Sequence, residues 1–126
     1  MDVQDNLEVR VEILDEVTAG KEWQRFMFYA YLGEERIGKL DVSYIESQYL
    51  NSPFIFSMRV EPEYRGNGIA GLLVENAIDY FRVNHRTNLS SGMSNNREAE
   101  RVYEKLTDKG RACETLVNDR KVWIFK

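Results

Sequence analysis

Leu7, Val9, Val11 and Ile13 alternate with Glu8, Arg10, Glu12 and Leu14. A period of two puts the two sets on opposite sides of an extended chain and predicts a half-buried strand over about residues 6–15. Residues 17–22, Val-Thr-Ala-Gly-Lys-Glu, read as a short connection. A second strand, dense in aromatic residues, follows over 23–32. Gly33-Glu-Glu35 is a hairpin turn, and a long third strand returns over 36–49. Asn51-Ser-Pro53 breaks the chain. Phe54, Phe56, Met58 and Val60 then alternate with Ile55, Ser57 and Arg59 in a fourth strand. Pro62 holds Glu61 extended and removes a ladder donor, so the strand ends there. From about Gly68 to Asn84 the period becomes helical, with Ile69, Leu72, Leu73, Ala77, Ile78 and Phe81 on one stripe and Glu75, Asp79 and Arg82 off it. Residues 88–94 read as a short fifth strand around Leu89 and Met93. Asn95 or Asn96 caps a second helix that runs to about Asp108 and carries Ala99, Val102, Tyr103 and Leu106 on one side. Gly110 suits the residue just past that helix. Residues 112–116 and 121–125 form a terminal hairpin around Asn118-Asp119. The order is β-β-β-β-α-β-α-β-β, one domain over 1–126 without internal repeat.

Bulk properties narrow the function class. A chain of 126 residues with 43% hydrophobic and 12% aromatic content can bury a core. The formal charge of −4 shows no basic stripe, so no nucleic-acid partner is expected. Cys113 is the only cysteine, which rules out an internal disulfide and favours a reducing, cytoplasmic setting. The acidic start Met-Asp-Val-Gln-Asp-Asn is not a signal peptide, and no apolar run approaches a membrane span. No metal site is expected.

The chemistry concentrates between the fourth strand and the first helix, where Gly66, Gly68 and Gly71 sit in the joint. Glycine reaches positive φ freely and admits another group close to the backbone. A tight glycine turn at a helix start gathers free N–H groups at the positive end of the helix dipole and makes an anion site. Arg65 adds a forked cation suited to phosphate. The pattern reads as a diphosphate cradle. Gly66-x-Gly68-x-x-Gly71 also matches the dinucleotide fingerprint, but its context does not: Pro62 and Tyr64 separate it from the strand, and residues 86–92 supply no acid about 20 residues on. A glycine-rich turn without a ligand is the plain alternative.

Arg65-x-x-Gly68-x-Ala70, within the run Val60-x-Pro62-x-Tyr64-Arg65-Gly66-x-Gly68-Ile69-Ala70, resembles the signature of the GCN5-related N-acetyltransferases. Asn96-x-x-Ala99-x-x-x-Tyr103-x-Lys105-Leu106 resembles that family's second conserved block. After Leu106 this chain reads Thr-Asp-Lys-Gly where the family usually has Gly-Phe. The resemblance implies a mixed, mostly antiparallel α/β sheet flanked by helices, the acyl-CoA N-acyltransferase fold. It implies acetyl-CoA as cofactor and N-acetylation of a primary amine, small molecule or peptide, by direct transfer in a ternary complex. It carries coenzyme binding onto Arg65, Gly66, Asn67, Gly68, Ile69 and Ala70 for the diphosphate. Met58 and Val60 fall where the family's bulged fourth strand pairs with pantetheine. Asn96 falls where the family contacts the pantetheine arm, or is simply a helix cap. Tyr103 matches the family's general acid, a phenol that protonates the departing thiolate, or is a packed helix tyrosine. With a phenol pKa near 10 and a thiol pKa near 8.5, that proton transfer is expected to run downhill. Glu61, Glu46, Asp41 and His85 are candidates for the base, with His85 better read as structural at a helix end. Cys113 is not a convincing nucleophile.

Family members usually place one or two helices between strands one and two, where this chain has only about six residues. The fold is therefore expected to be reduced on its acceptor side, with a site that is open, shallow, or completed by another chain as in a homodimer. Trp23, Phe26, Phe28, Tyr29 and Tyr31 exceed what one inner face can bury, so some could line an acceptor groove or an interface. A non-catalytic acyl-CoA-binding or partner-binding module on the same fold is the rival function.

Overall fold

The computed structural model describes residues 6–18, 21–44, 52–92 and 96–126, and says nothing of the side chains of 15–18 and 21–23. Strand β1 (Leu7–Thr18) turns directly into β2 (Lys21–Leu32), with Thr18 opposite Lys21. The expected six-residue connection is thus shorter still, because both strands continue through it. The turn at 33–34 leads into β3 (Glu35–Tyr44), and β4 (Phe54–Val60) pairs back onto it. All pairings are antiparallel, in the order β1-β2-β3-β4. The far end of the expected third strand, 45–49, lies outside the described residues.

Two irregularities shape this sheet. Ala30 pairs with Gly38 but Tyr31 with Arg36, so Ile37 is an extra residue in β3. Val42 pairs with Ile55 but Asp41 with Ser57, so Phe56 is an extra residue in β4. A bulge inserts one unpaired residue and re-aims those around it. Here it overturns the expected alternation of the fourth strand. Ile55 is buried, Phe56 is 66% exposed, and Met58 and Val60 then return to the core side.

Helix α1 (Ile69–Asn84) lies across β2, β3 and β4. Its Leu73, Ala77, Ile78 and Phe81 close over Phe26, Phe28, Leu40 and Val42. The approach is tight at Gly38, where an added Cβ would meet Ile69 Cγ2 and Leu73 Cδ1 at 3.2 Å each. Helix α2 (Arg97–Asp108) packs on the C-terminal hairpin of β5 (Ala112–Val117) and β6 (Arg120–Phe125). Asn96 caps α2, its side chain accepting from the Ala99 N–H at 2.8 Å. At the other end the N–H groups of Gly110 and Arg111 donate to Thr107 and Leu106, with Gly110 left-handed. This is the Schellman arrangement expected of a glycine there. Asn118 and Asp119, both at positive φ, make the tight turn between β5 and β6. No described helix is long and apolar enough to cross a membrane.

The fifth strand expected over 88–94 is not a full strand. Of its described residues, 88–92, only Ser90 bridges, parallel to Phe54 on one side and antiparallel to Ile124 on the other. Its N–H donates to Pro53 O, and Ile55 N–H donates to its carbonyl. Ser91 and Leu89 bond to Trp123 and Phe125. The segment thereby couples the two sheets. Two features end it early: β4 bulges immediately after Ile55, and Gly92 turns left-handed against Ile55 O. Residues 93–95 lie outside the described residues.

Because Gly38 has no room for a branched side chain, Gly38→Val should overpack the α1 contact. A loss of about 1–3 kcal/mol in chemical denaturation is expected, with the native circular dichroism retained.

Candidate active site

The joint between β4 and α1 folds as a scaffold for main-chain donors. Glu61 N–H donates to Ile37 O at 2.8 Å, which fixes the strand end. Residues Pro62–Tyr64 form one 3₁₀ turn, and Arg65 N–H donates to Pro62 O. Tyr64 Oη donates to Glu35 Oε2 at 3.2 Å, an interaction that raises the Tyr64 pKa and ties the turn to β3. Gly66 (φ 84°) and Gly68 (φ 76°) then take the left-handed conformation that a side chain would resist. Gly68 is the N-cap of α1, and no side chain caps that helix. The first-turn N–H groups of α1 therefore point out of the helix end with no side chain to receive them. The Arg65 Nε–H donates to Val60 O at 3.0 Å, which holds the guanidinium beside the turn.

This turn opens onto a groove of about 910 Å³ between β4 and α2. Met58, Val60, Arg65, Gly66, Gly68, Ile69 and Ala70 line it from the β4–α1 side. Asn96 and Tyr103 line it from α2. The structure thus brings together Tyr103 and every coenzyme-binding residue expected from sequence except Asn67, which is not part of the lining. Asn67 Nδ2 donates to Tyr64 O at 3.0 Å and braces the turn from within.

The sequence did not single out the basic lining contributed by α2. Arg59, Arg65, Arg101, Lys105 and Lys109 face the groove with only Glu75 and Glu98 as acids. The spacing of Arg101, Lys105 and Lys109 at four-residue steps on one helical face was the available signal. Lys109 Nζ pairs with Glu75 Oε1 at 3.0 Å and links α2 to α1.

Tyr103 is 1% exposed and sits 5.3 Å, centroid to centroid, from both Trp123 and Phe125. Burial pushes its phenol well above the usual tyrosine range. The base candidates scatter. Asp41 is 2% exposed and forked by the Arg25 guanidinium. Glu61 is exposed, Glu46 lies outside the described residues, and His85 packs against Phe26, Tyr44, Tyr80 and Phe81. Cys113 is exposed on β5 and outside the groove lining. Of the aromatic run, Phe26 and Phe28 are core. Tyr29 and Tyr31 lie on the opposite face under Arg36 and Arg10. The side chain of Trp23 lies outside what is described.

The sequence profile of the GNAT acetyltransferase family matches residues 4–107. The chain belongs to the GNAT family. Solved structures agree on the fold. An acetyltransferase of the GNAT family from Streptococcus pneumoniae superposes with TM-score 0.56 at 18% identity, covering 79% of this chain and 64% of that one. The ribosomal-protein-S18-alanine N-acetyltransferase of Escherichia coli gives TM-score 0.56 at 19% identity, covering 79% and 65%. A Bacillus subtilis acetyltransferase solved in complex with CoA gives 0.59 at 11% identity, covering 94% and 99%. The chain spans just under two-thirds of the length of the first two. No curated protein sequence matches. Compared with the usual GNAT plan, this member has no helix between β1 and β2, since those strands pair continuously up to Thr18 and Lys21.

A folded-state pKa above the unfolded value near 10 means that Tyr103 stabilises the fold fully below pH ~10, and that this contribution is lost as pH rises beyond it. Thermal melts across pH 8–11, limits of about that range chosen around the free phenol, should show the wild type losing stability at the alkaline end. Tyr103→Phe should flatten that loss.

Proposed function

We propose that this protein is an acetyl-CoA-dependent N-acetyltransferase that transfers the acetyl group directly to a primary amine in a ternary complex. The observation that carries the reading is the start of α1, without a side-chain cap and preceded by two left-handed glycines, opening onto a basic groove that also holds Tyr103. The coenzyme diphosphate sits against the main-chain amides of 66–70, with Arg65 as its counter-ion. The adenosine-bearing end meets the cations of α2. The pantetheine amides pair along Met58–Val60, and the Phe56 bulge, which re-aims β4, leaves that backbone available. Asn96 uses Oδ1 for its helix cap, which leaves its Nδ2 protons for the pantetheine arm.

In the transfer, the amine nitrogen attacks the thioester carbonyl carbon. The tetrahedral species collapses, the C–S bond breaks, and the proton lost from nitrogen ends on sulfur. The expected downhill transfer from Tyr103 to the thiolate has the opposite sign. A phenol near 10 is a weaker acid than a thiol near 8.5, so full transfer is uphill by about 2 kcal/mol before burial makes it steeper. The role that fits is a neutral phenol donating a hydrogen bond to the developing thiolate. No carboxylate or histidine of the described chain stands out as base, and an acceptor that arrives as free amine needs none.

The second reading, a module that holds acyl-CoA without turnover, is favoured by the short β1–β2 connection, which leaves the acceptor side without a helical wall. Under the enzyme reading the acceptor, small molecule or peptide, approaches an open surface. Exposed, unpaired Cys113 suits a cytoplasmic protein.

Calorimetric titration with acetyl-CoA and CoA tests the groove. Both should bind, and no heat at millimolar ligand from demonstrably folded protein overturns the reading. Gly68→Glu should abolish binding by placing a carboxylate among the amides, and Arg65→Ala should weaken it by about 1.5–3 kcal/mol. Thiol release across a panel of amines separates enzyme from module. Tyr103→Phe should leave coenzyme affinity unchanged and slow turnover at neutral pH.

A further inference from the structure

Among the described residues, strand β1 is the open edge of the larger sheet, twelve residues long and paired only on its β2 side. Helix α1 covers β2, β3 and β4. On β1, Leu7 and Val9 reach the core, whereas Val11 and Ile13 on the same face stay 40% and 49% exposed, and Leu14 on the other face 37%. A long edge with bare apolar side chains invites pairing with another strand. Several of the protections that edges carry are missing: the described part has no proline and no lysine before Lys21, and β1 pairs with β2 in register throughout, without a bulge, so its charges Glu8, Arg10 and Glu12 are the one guard left.

We propose that β1 pairs with β1 of a second copy, antiparallel about a two-fold axis through Val11, to make one continuous eight-stranded sheet. The charge pattern selects this occupant and this register. With Val11 facing its own copy, Val9 faces Ile13 in both directions, so the exposed apolar row is covered. On the other face Arg10 meets the partner's Glu12 and Glu8 meets its Leu14, whose methyls lie against the Glu8 stem, and symmetry repeats both pairs. Moving the axis to residue 10 sets Arg10 against Arg10 and Glu8 against Glu12. Moving it to residue 12 sets Glu12 against Glu12. An axis at Val9 restores opposite charges but shortens the overlap and leaves Ile13 bare. An axis between residues puts apolar side chains opposite polar ones. Arg10 is already extended along this face, 4.4 Å above the Tyr31 ring and bonded to Glu8, so little ordering remains to be done. A self-complementary patch of this kind closes as a dimer and leaves no free β1 edge for fibre growth.

Sedimentation of the full chain should show a dimer that dissociates on dilution. Val11→Lys, at a surface position, should give folded monomer. Arg10→Glu should weaken association by roughly tenfold or more, since two cross-strand pairs become repulsive, and adding Glu12→Arg should restore it. In a Cys113→Ser background, Val11→Cys should form an intermolecular disulfide on oxidation, whereas Ile13→Cys should not, because it faces Val9. A wild type that stays monomeric at all accessible concentrations overturns the proposal. So does a dimer indifferent to Val11→Lys, or a double charge swap that fails to rescue Arg10→Glu.

Discussion

The structure turns on a helix that starts without a cap. Most helices satisfy one or more of their first N–H groups with a side chain at the N-cap. Here that position is Gly68, held left-handed, and the donors are left for something from outside. The surroundings conserve this arrangement at some cost. Two positive-φ glycines lose more backbone freedom on folding than other residues would. Three hydrogen bonds, from Tyr64 Oη, Arg65 Nε and Asn67 Nδ2, then hold the turn in one shape. The α1 side contributes its own constraint, because Gly38 lets Ile69 and Leu73 sit directly on the sheet and so sets where the helix end points.

The second wall of the groove comes from a different part of the fold. Helix α2 is seated by Ala99, Tyr103 and Leu106 on the β5–β6 hairpin, with Tyr103 against Trp123 and Phe125. The wall is thus built by apolar burial, while its groove side carries cations. That division explains how a chain of net charge −4 presents a basic cleft. The exposed ion pairs Lys109–Glu75 and Arg111–Asp79 tie α1 to the exit of α2, but pairs this open contribute about 0–1 kcal/mol each and are screened by salt.

Much of this was legible in the sequence, and the exceptions have physical causes. Both helices and β1 to β4 follow from periodicity, and the Asn96 cap, the Gly110 exit and the Asn118-Asp119 turn follow from local chemistry. The Phe56 bulge does not. Alternation along one strand reads only a period of two, and a bulge is defined by how many partner residues stand opposite, which the strand's own sequence does not record. The run 88–94 had the composition of a strand, but how far it pairs was decided by β4 turning away and by Gly92. The glycine turn between β4 and α1 was readable because its residues are contiguous. The basic lining was not, because Arg101 and Lys105 matter only once α2 is laid opposite Arg65.

The Ser90 bridge has a further consequence. Among the described residues, the larger sheet and the C-terminal hairpin meet in hydrogen-bonded contact only along the short stretch around that residue, and the groove runs beside the seam. A molecule occupying the groove touches both halves, so it acts as mortar as well as cargo. Its binding free energy adds to cohesion between the two halves. By that linkage an occupant of the groove would shield the seam from proteases and lengthen the lifetime of the folded chain.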